Sequence, residues 1–411
     1  MVRIGLYGIF GVYNFGCEAI VRGAYKFINK IYSDAQIMYF SYNYEYDRKA
    51  LSDLDLVVVP IIKKASFTDK VIHKLKTIAN SEKRGLYCDV DIILNQIDVV
   101  FSIGGDIYTI PKYIREKKKY PYYNQLIEFC DKAIGAGKDV VVYGASVGPF
   151  GEYKKAVDYY RKYMSKYKLI ICREKEALDY LKNIGLTNVY FFPDPAFQVR
   201  GLKEIEDTTD NQKYIGINLS PLSFKEIYGN FDEDICMKLA KVIDEICRVT
   251  KKEMLFIPHV LSLNEDDNDL NFMQKIKKKM KPENQEKVHF SNYDSGFVGV
   301  KKCLKQCSIV ISARMHCAIN AIDENIPTIF LSYSQKSIGM CEFVYGSGEW
   351  VIDLKDIDTG LLQMVKKMIE NRNEISAYLK AKNNEINLYY INNIENVKKS
   401  LNSYVNQEEC L

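Results

Sequence analysis

RIGLYGIF (residues 3–10), GVYNFG (11–16) and CEAIVRGAYKFINKIY (17–32) form one strand–turn–helix unit near the start of the chain. The first piece is a nearly continuous apolar run, which predicts a strand buried on both faces. The second piece, rich in glycine, predicts a turn. The third piece predicts a helix, because apolar residues recur at helical spacing at Ile20, Ala24, Phe27, Ile28 and Ile31. A buried strand followed by a helix is the repeating unit of a parallel α/β sheet.

The same alternation continues along the rest of the chain. Short apolar runs predict further strands, and helical sequence separates most of them. In the first half these runs are AQIMYFSY (35–42), LDLVVVPII (54–62), IDVVFSIGG (97–105), KDVVVYGASVG (138–148), KLIICRE (168–174) and VYFFPDPAF (189–197). In the second half they are YIGINLSP (214–221), EMLFIPHV (253–260), KVHFSNY (287–293), CSIVISAR (307–314), IPTIFLSY (326–333) and EWVIDL (349–354).

The polar stretch between the two series predicts a domain boundary. Residues 201–213 are polar and end in turn-forming residues, so we interpret them as a linker. The sequence therefore predicts a first Rossmann-like domain over 1–200 and a second over 214–385, each with a parallel sheet covered on both sides. A charged helical tail over 386–411 completes the chain.

Composition narrows the class of protein. The chain has 411 residues, 47% hydrophobic and 27% charged, which is typical of a globular protein with two domains. The net charge of +4 does not favour a nucleic-acid-binding protein. Basic runs at Arg115–Lys119 and Lys277–Lys279 are interpreted as solvated helix faces, with a membrane-surface patch as the less favoured alternative.

The first residues of the sequence and its cysteines indicate in which cellular compartment the protein is expected. An apolar run follows Met1 without a basic leader or cleavage site, and no apolar stretch could span a bilayer. We therefore expect a cytosolic protein with at most peripheral membrane contact, at the inner face of the cell membrane if anywhere. The eleven scattered cysteines predict reduced core residues. One set of residues could be considered as zinc ligands: Cys303, Cys307, His316 and Cys317. Their spacing fits no standard zinc-ligand pattern, so a role in core packing is favoured.

Unusual polar and glycine residues follow the predicted strands instead of preceding them. Ligands bind beyond the carboxyl ends of parallel strands, so this placement predicts binding sites. The candidates are Asn14 and Glu18 after the first strand, then Gly104, Gly105, Asp106, Ser146 and Arg173, and in the second half Asn218, His259, Arg314, His316, Tyr333 and Lys336. Each has a structural alternative: the glycines could serve their turns, Arg173 could pair with Glu176, and His259 could be a satisfied edge residue.

SIVISARMHCAINAIDENIPTIFLSYSQK (308–336) contains the most informative candidates. A buried strand leads to Arg314 and His316, where a helix is predicted to begin. The free N–H groups of a helix start and a guanidinium both favour an anion, and Lys336 follows the next strand. We therefore expect a site for a multiply charged anion. The alternative is an arginine that caps sheet carbonyls beside a histidine that fills a pocket.

An ordered set of motifs resembles the polysaccharide pyruvyl transferase family from about Ile4 to Gly346. The motifs are YNFGCEAI (13–20), FSIGGDIY (101–108), YGASVGPF (143–150), ICREKEALDYL (171–181), FPDPAF (192–197), FIPHV (256–260), NEDDND (264–269) and SARMHCAI (312–319) with PTIFLSYSQK (327–336). The resemblance implies two Rossmann-like domains in a GT-B-like arrangement with a cleft between them. It also implies transfer of pyruvate from phosphoenolpyruvate to a sugar of a surface polysaccharide or its precursor, as a ketal.

The resemblance also implies residue roles. His316 and Arg314 take the catalytic and donor-binding roles, while Lys336 and Arg173 look like further anion contacts. The two glycines 104 and 105 would line the cleft. The family often has aspartate where this chain has Cys17 and a third glycine where it has Asp106, which leaves acceptor identity open. An imidazole suits the proton transfers, and Asp106 or Glu18 could orient or deprotonate the acceptor hydroxyl.

The expected partners follow from this reaction. They are phosphoenolpyruvate as a co-substrate and a sugar acceptor, with a lipid-linked oligosaccharide among the alternatives. No nucleic acid, cofactor or protein-bound metal is expected, a metal held through phosphate stays open, and a homo-oligomer is allowed. The two rival functions are a GT-B glycosyltransferase that uses a nucleotide sugar, which needs an acidic ribose contact, and a sugar-binding protein without turnover.

Overall fold

The protein was analysed as a computed structural model, which describes residues 1–61, 67–79, 81–86, 88–110, 123–151, 153–199, 212–229, 232–333 and 335–402. Arg115–Lys119 and all of the predicted linker except residues 212 and 213 lie outside this part. The chain forms two compact units. Unit 1 comprises Met1–Val12, Ile20–Gln198 and Tyr389–Leu411, and unit 2 comprises Tyr13–Ala19 and Val199–Leu388.

Unit 1 contains a seven-stranded parallel sheet. Its strands are β1 (Val2–Tyr7), β2 (Ala35–Ser41), β3 (Val57–Pro60), β4 (Val99–Ile103), β5 (Asp139–Ala145), β6 (Leu169–Cys172) and β7 (Val189–Phe191). Their spatial order is β3-β2-β1-β4-β5-β6-β7. The central strand β4 is buried along its whole length, as a sheet covered on both faces requires.

Unit 2 contains a six-stranded parallel sheet. Its strands are β8 (Tyr214–Asn218), β9 (Glu253–Phe256), β10 (Val288–Phe290), β11 (Cys307–Ser312), β12 (Thr328–Ser332) and β13 (Val351–Asp353). Their spatial order is β10-β9-β8-β11-β12-β13. Strands β8, β11 and β12 are buried throughout, so the apolar runs of the second half form this core.

Helices connect the strands in both units. In chain order they are α1 (Phe15–Ile31), α2 (Tyr44–Ala50), α3 (Phe67–Ile78), α4 (Val90–Leu94), α5 (Gln125–Gly135), α6 (Lys154–Met164), α7 (Lys175–Asn183), α8 (Pro221–Tyr228), α9 (Glu233–Thr250), α10 (Asp269–Lys279), α11 (Pro282–Gln285), α12 (Gly296–Leu304), α13 (Met315–Asp323), α14 (Gln335–Tyr345), α15 (Ile357–Glu370) and α16 (Arg372–Asn402). The basic run Lys277–Lys279 lies in the last turn of α10. Within the part of the chain that the structure describes, no helix combines the length and apolar character needed to span a bilayer.

The prediction of two parallel α/β domains is confirmed, and the strand order locates their binding edges. In each sheet the order reverses beside its first strand, between β1 and β4 in unit 1 and between β8 and β11 in unit 2. Connections on the two sides of such a point leave in opposite directions and open a crevice at the carboxyl ends of the strands. The loops that follow these four strands are therefore where each unit is built to take a ligand.

One segment lies in a different unit from the one that the sequence predicted, and the helical tail, which the sequence assigned to neither domain, packs with unit 1. Tyr13–Ala19, expected in the first domain, packs with unit 2, where Phe15 N donates to His259 O (3.0 Å) and Leu261 N donates to Tyr13 O (3.1 Å). The end of α16 packs with unit 1, where the buried Tyr390 hydroxyl donates to Pro193 O at 2.5 Å. Backbone hydrogen bonds to His259 and Leu261 explain why Tyr13–Ala19 belongs to unit 2. The buried Tyr390 explains why the end of α16 belongs to unit 1.

Candidate functional site

Asn218 connects the loops on the two sides of the unit 2 switch point. It is the last residue of β8 and is fully buried. Its amide nitrogen donates to Ile257 O (2.9 Å) and Asp269 Oδ2 (3.3 Å). Its amide oxygen accepts from Arg314 N (2.9 Å) and Ser312 Oγ (3.3 Å). Asn218 was predicted to bind substrate, but every polar atom of its side chain is used within the protein, so it positions the site instead.

Asp269 is the centre of this network. Its buried carboxylate accepts from the backbone nitrogens of His259 and Val260, both at 3.1 Å. The other oxygen accepts from Arg314 Nε (3.2 Å) and Nη2 (2.8 Å). One side chain therefore joins the loop after β9 to the guanidinium that follows β11.

Arg314 is oriented by two carboxylates. Asp267 Oδ1 accepts from its Nη2 at 2.5 Å, in addition to the contacts with Asp269. Burial opposes the positive charge, but Asp269 and Asp267 outweigh it and raise the pKa of Arg314. Among the described residues, no acceptor forms a hydrogen bond with Nη1. The sequence predicted that the whole guanidinium would be available to an anion. In the structure Asp267 and Asp269 occupy Nε and Nη2, and Nη1 is the nitrogen without an acceptor among the described residues.

His316 lies in the first turn of α13, against the backbone of the segment Tyr13–Ala19. A Cβ placed on Gly16 would lie 2.5 Å from His316 Nδ1, a distance that real Cβ contacts do not reach. The Asn14 side-chain oxygen accepts from Gly16 N at 2.9 Å and holds this turn. The early glycine motif therefore makes room for the imidazole, and the predicted residue Asn14 shapes that turn.

The N-terminus of α13 is not capped by the side chain of its own cap residue. Arg314 occupies the cap position with extended backbone, and its side chain makes no capping hydrogen bond. The first N–H groups of a helix have no partner within the helix and carry part of its positive dipole. The start of α13, His316 and Arg314 Nη1 therefore combine features that favour an anion.

His259 is buried, with 1% of its surface exposed, between two aromatic rings. Phe15 and Phe297 meet its imidazole edge-on, with centroids 5.5 and 5.9 Å away. Burial, followed by the charges of His316 and Arg314, holds the pKa of His259 well below its ordinary value. Within the described part of the chain, its buried Nε2 has no hydrogen-bond partner. His259 is thus a neutral imidazole with an unsatisfied ring nitrogen in the neighbourhood of His316.

Glu18 caps a helix, which differs from the catalytic role expected for it. Its carboxylate is 2% exposed and accepts from Phe297 N at 2.8 Å, in the first turn of α12. Gly296 has a φ of +65°, and a Cβ there would lie 2.6 Å from Glu18 Oε2. A carboxylate at this position complements the helix dipole. Its burial and its contact with Phe297 N indicate a structural role at the start of this helix.

Tyr333 and Lys336 follow β12, which pairs with β11 in the sheet. Both are half-buried, and Lys336 lies in the first turn of α14. They therefore follow the strand next to the one that carries His316, at the same edge of unit 2.

Arg173 belongs to unit 1 and is surrounded by acidic side chains. Its guanidinium donates to Asp194 (2.8 Å), Glu174 (3.1 Å) and Ser146 Oγ (2.8 Å) and lies 3.6 Å from Asp106 Oδ1. Burial opposes its charge, but Asp194, Glu174 and Asp106 raise the pKa of Arg173. The structure does not support the expectation that Arg173 contacts the donor anion, because three carboxylates already surround this cation.

The predicted unit 1 residues meet around this arginine. Ser146 Oγ also donates to Glu174 at 2.6 Å, so this hydroxyl bridges Arg173 and Glu174. The Gly105 carbonyl accepts from Ser146 N at 2.8 Å, and Gly104 precedes it directly after β4. Asp106 differs from the others, since 58% of its side chain is exposed. Of the acidic side chains around Arg173, that of Asp106 is the most exposed.

The cysteines of the considered zinc set are core residues or lie beside the core. Cys307 and Cys317 are fully buried, and burial raises the pKa of both thiols. Among the described residues, no three His, Cys, Asp or Glu side chains come together in a way that could hold a metal ion.

Sequence reasoning missed the two aspartates that orient Arg314. Asp267 and Asp269 lie in the NEDDND stretch, which was noted as a motif without a role. Its acidic residues, directly after the β9 loop, were the signal that could have suggested partners for a buried arginine.

A sequence comparison identifies the family. Residues 14–335 match the sequence model of the polysaccharide pyruvyl transferases. The chain belongs to the polysaccharide pyruvyl transferase family. Membership places it among transferases of polysaccharide biosynthesis. The matched range of the family contains every candidate described above except Lys336, which comes directly after its last residue.

One curated protein and two solved structures illustrate what this chain is similar to. The amylovoran biosynthesis protein AmsJ of Erwinia amylovora is 23% identical over 299 residues, 69% of this chain and 68% of AmsJ. A glycosyltransferase from Rickettsia africae is similar in structure, with a TM-score of 0.58, 12% identity and coverage of 97% of this chain and 98% of that one. MnaA of S. aureus, in complex with UDP, has a TM-score of 0.55, 13% identity and coverage of 92% and 91%. At such identities these structures show the fold alone.

Proposed function

We propose that this chain transfers the pyruvyl group of phosphoenolpyruvate to two hydroxyls of one sugar in an extracellular polysaccharide or its precursor, forming a cyclic ketal. Family membership and the similarity to an amylovoran biosynthesis protein support the reaction class. The observation that carries the proposal is the start of α13, which bears His316 and has Arg314 at its cap position, at the switch point of unit 2.

The charge of the donor fits this position. Phosphoenolpyruvate has a carboxylate and a phosphate that carries about −1.5 to −2 charges near neutral pH. Nη1 of Arg314, for which no described residue provides an acceptor, and the positive end of the α13 dipole both favour one of these anions. Because Asp267 and Asp269 occupy Nε and Nη2, Arg314 binds the donor through one corner rather than as a two-pronged clamp.

The reaction needs one proton delivered and two removed. A proton adds to the methylene carbon of phosphoenolpyruvate, and the neighbouring carbon becomes electrophilic. The oxygen of the first sugar hydroxyl bonds to that carbon and loses its proton, and the bond to the phosphate oxygen breaks. The second hydroxyl then closes the ring and loses its proton, so that one hydroxyl proton ends on carbon and the other on phosphate. We assign the proton on carbon to His316, since an imidazole can donate and accept near neutral pH.

We assign the contact with the acceptor sugar to the exposed carboxylate of Asp106 in unit 1. Asp106 is held near the buried Arg173, yet more than half of its side chain is exposed. A carboxylate in this setting can accept a hydrogen bond from a sugar hydroxyl. Because Glu18 caps α12, we assign this role to Asp106.

Binding and turnover test the proposal. We expect phosphoenolpyruvate to raise the melting temperature of the protein and UDP-sugars to do so less, because a ligand of the folded state stabilises it by mass action. His316→Asn should retain this shift but release no phosphate from phosphoenolpyruvate with an acceptor oligosaccharide present. Asp294→Asn, a change on the exposed turn before α12, is the matched control and should behave as the parent does.

Two outcomes would contradict the proposal. Stabilisation by UDP or a UDP-sugar without any by phosphoenolpyruvate would indicate a glycosyltransferase. Normal phosphate release by His316→Asn would remove His316 from the chemistry.

A further inference from the structure

Helix α3 of unit 1 exposes an apolar stripe. Its sequence is FTDKVIHKLKTI, and its apolar residues recur every three or four positions along one face. Their exposed fractions are 81% for Phe67, 41% for Val71, 60% for Leu75 and 75% for Ile78. Ile72, at the border of the stripe, is 47% exposed. Soluble proteins expose single large apolar residues routinely, but a contiguous set usually marks an interaction surface.

The opposite side of α3 faces its own unit. At about 100° per residue, His73 lies on the side of the helix away from Phe67, Val71 and Leu75. His73 is partly buried and meets the ring of Tyr123 edge-on, with centroids 5.9 Å apart. Tyr123 is itself fixed, because its hydroxyl donates to Gly85 O at 2.9 Å. The helix is thus held with its apolar stripe facing outward, the reverse of an ordinary surface helix.

Two lysines border the stripe on one side. Lys70 and Lys74 lie along one edge of the stripe, and both are exposed. Lys76 lies on the other side of the helix, next to Asp69. The single acidic residue of α3 is Asp69, on the side of the helix near His73. The outward face therefore combines large apolar side chains with positive charge.

We propose that α3 binds the surface of an anionic lipid bilayer, with its axis in the plane of the membrane and Phe67, Val71, Leu75 and Ile78 inserted below the headgroups. Charge and composition favour lipid over a protein partner. Lysine is depleted in the cores of protein interfaces, whereas helices that lie in the membrane interface carry lysines beside an apolar face. Long lysine side chains can reach up to phosphates while their stems stay on the apolar surface. This inference rests on α3 alone and is independent of the proposed reaction.

Co-sedimentation of the full-length protein with vesicles tests the inference. We expect binding to vesicles of phosphatidylglycerol and phosphatidylcholine, and at least tenfold weaker binding to phosphatidylcholine alone. Leu75→Glu combined with Ile78→Glu should abolish binding, because it places two charges within the inserted face. Lys70→Gln and Lys74→Gln should each weaken binding about fivefold, and added salt should weaken the binding of the parent.

Controls separate insertion from nonspecific effects. Ile92→Glu changes a residue of unit 1 that is 56% exposed but lies outside α3, and this variant should bind vesicles as the parent does. Leu75→Trp should shift its fluorescence to shorter wavelength when anionic vesicles are added, whereas Trp350 of the parent is already buried. The melting temperature and its shift with phosphoenolpyruvate should be the same in all variants.

Three results would overturn the inference. These are equal binding of the parent and the double glutamate variant, no binding of the parent to anionic vesicles, and an unchanged Leu75→Trp spectrum. A parent that is dimeric in light scattering, fails to bind vesicles and becomes monomeric in the double glutamate variant would instead assign the stripe to a second copy of the chain.

Discussion

Replacing Asp269 with asparagine should destabilise unit 2 far more than a surface substitution would. The carboxylate is fully buried and accepts from two backbone nitrogens, from Asn218 and from two nitrogens of Arg314. An amide of the same shape has one oxygen for these donors and presents an NH₂ group to the others. Removing one member of a buried ion pair typically costs 3–5 kcal/mol. Since Arg314 keeps its contact with Asp267, we expect a loss of unfolding free energy at the lower end of this range, about 3 kcal/mol.

Calorimetry measures this cost directly. For a unit of roughly 200 residues, about 3 kcal/mol corresponds to a fall in melting temperature of roughly 6–12 °C. Asp267→Asn is the matched control, because it removes the other carboxylate from the same guanidinium. The Asp267 side chain is 30% exposed and touches Arg314 through one oxygen, so its loss should cost about 1 kcal/mol or less.

Equal melting temperatures for Asp269→Asn and the parent would refute this hydrogen-bond network. A larger effect of Asp267→Asn than of Asp269→Asn would do so as well, because burial and the number of donors both rank Asp269 first. Chemical denaturation should reproduce the ranking.

Three further predictions concern the surroundings of His316 and the cap on α12. Gly16→Ala should reduce turnover about 100-fold with little change in donor binding, since a methyl group 2.5 Å from Nδ1 displaces the imidazole by about 1 Å; steady-state phosphate release measures it. His259→Phe should make the protein less acid-sensitive. The folded pKa of His259 lies below its ordinary value, so the parent loses up to about 1.4 kcal/mol per pH unit below about pH 6.5 as the unfolded chain takes up a proton; denaturation at pH 7 and pH 5 measures the difference. Glu18→Ala should cost about 1–2 kcal/mol through the lost cap at Phe297, whereas Glu18→Gln should cost less because an amide oxygen still accepts; thermal melts of the two variants compare them.

The sequence was sufficient for the fold because the strands are buried on both faces. Continuous apolar runs such as CSIVISAR mark such strands without reference to any partner, and their alternation with helices implies a parallel sheet. Because Asn218, His259 and Arg314 each follow an apolar run of the second half, the carboxyl-edge rule is enough to place them together in unit 2.

Local sequence does not show which polar residues of that edge are buried. Asn218 and Glu18 have the residue types of ligand contacts, but the structure uses both to hold loops and helices. The partner of Arg314 lies 45 residues earlier in the chain, and no spacing rule connects the two. The direction of the apolar stripe on α3 was equally hidden, because periodicity gives a helix its faces but not the side on which its domain lies.

The position of residues 13–19 affects when unit 2 can finish folding during synthesis and how the chain can be split into fragments. Glu18 and Phe297 are 279 residues apart in sequence, so the cap on α12 and the wall beside His316 must wait until most of the chain has left the ribosome. A fragment that begins at Val199 would contain the whole sheet of unit 2 but lack Gly16 and Glu18. Such a fragment should regain the missing pieces from a synthetic peptide that covers residues 13–19, which makes a split version of this protein a sensor for that short sequence.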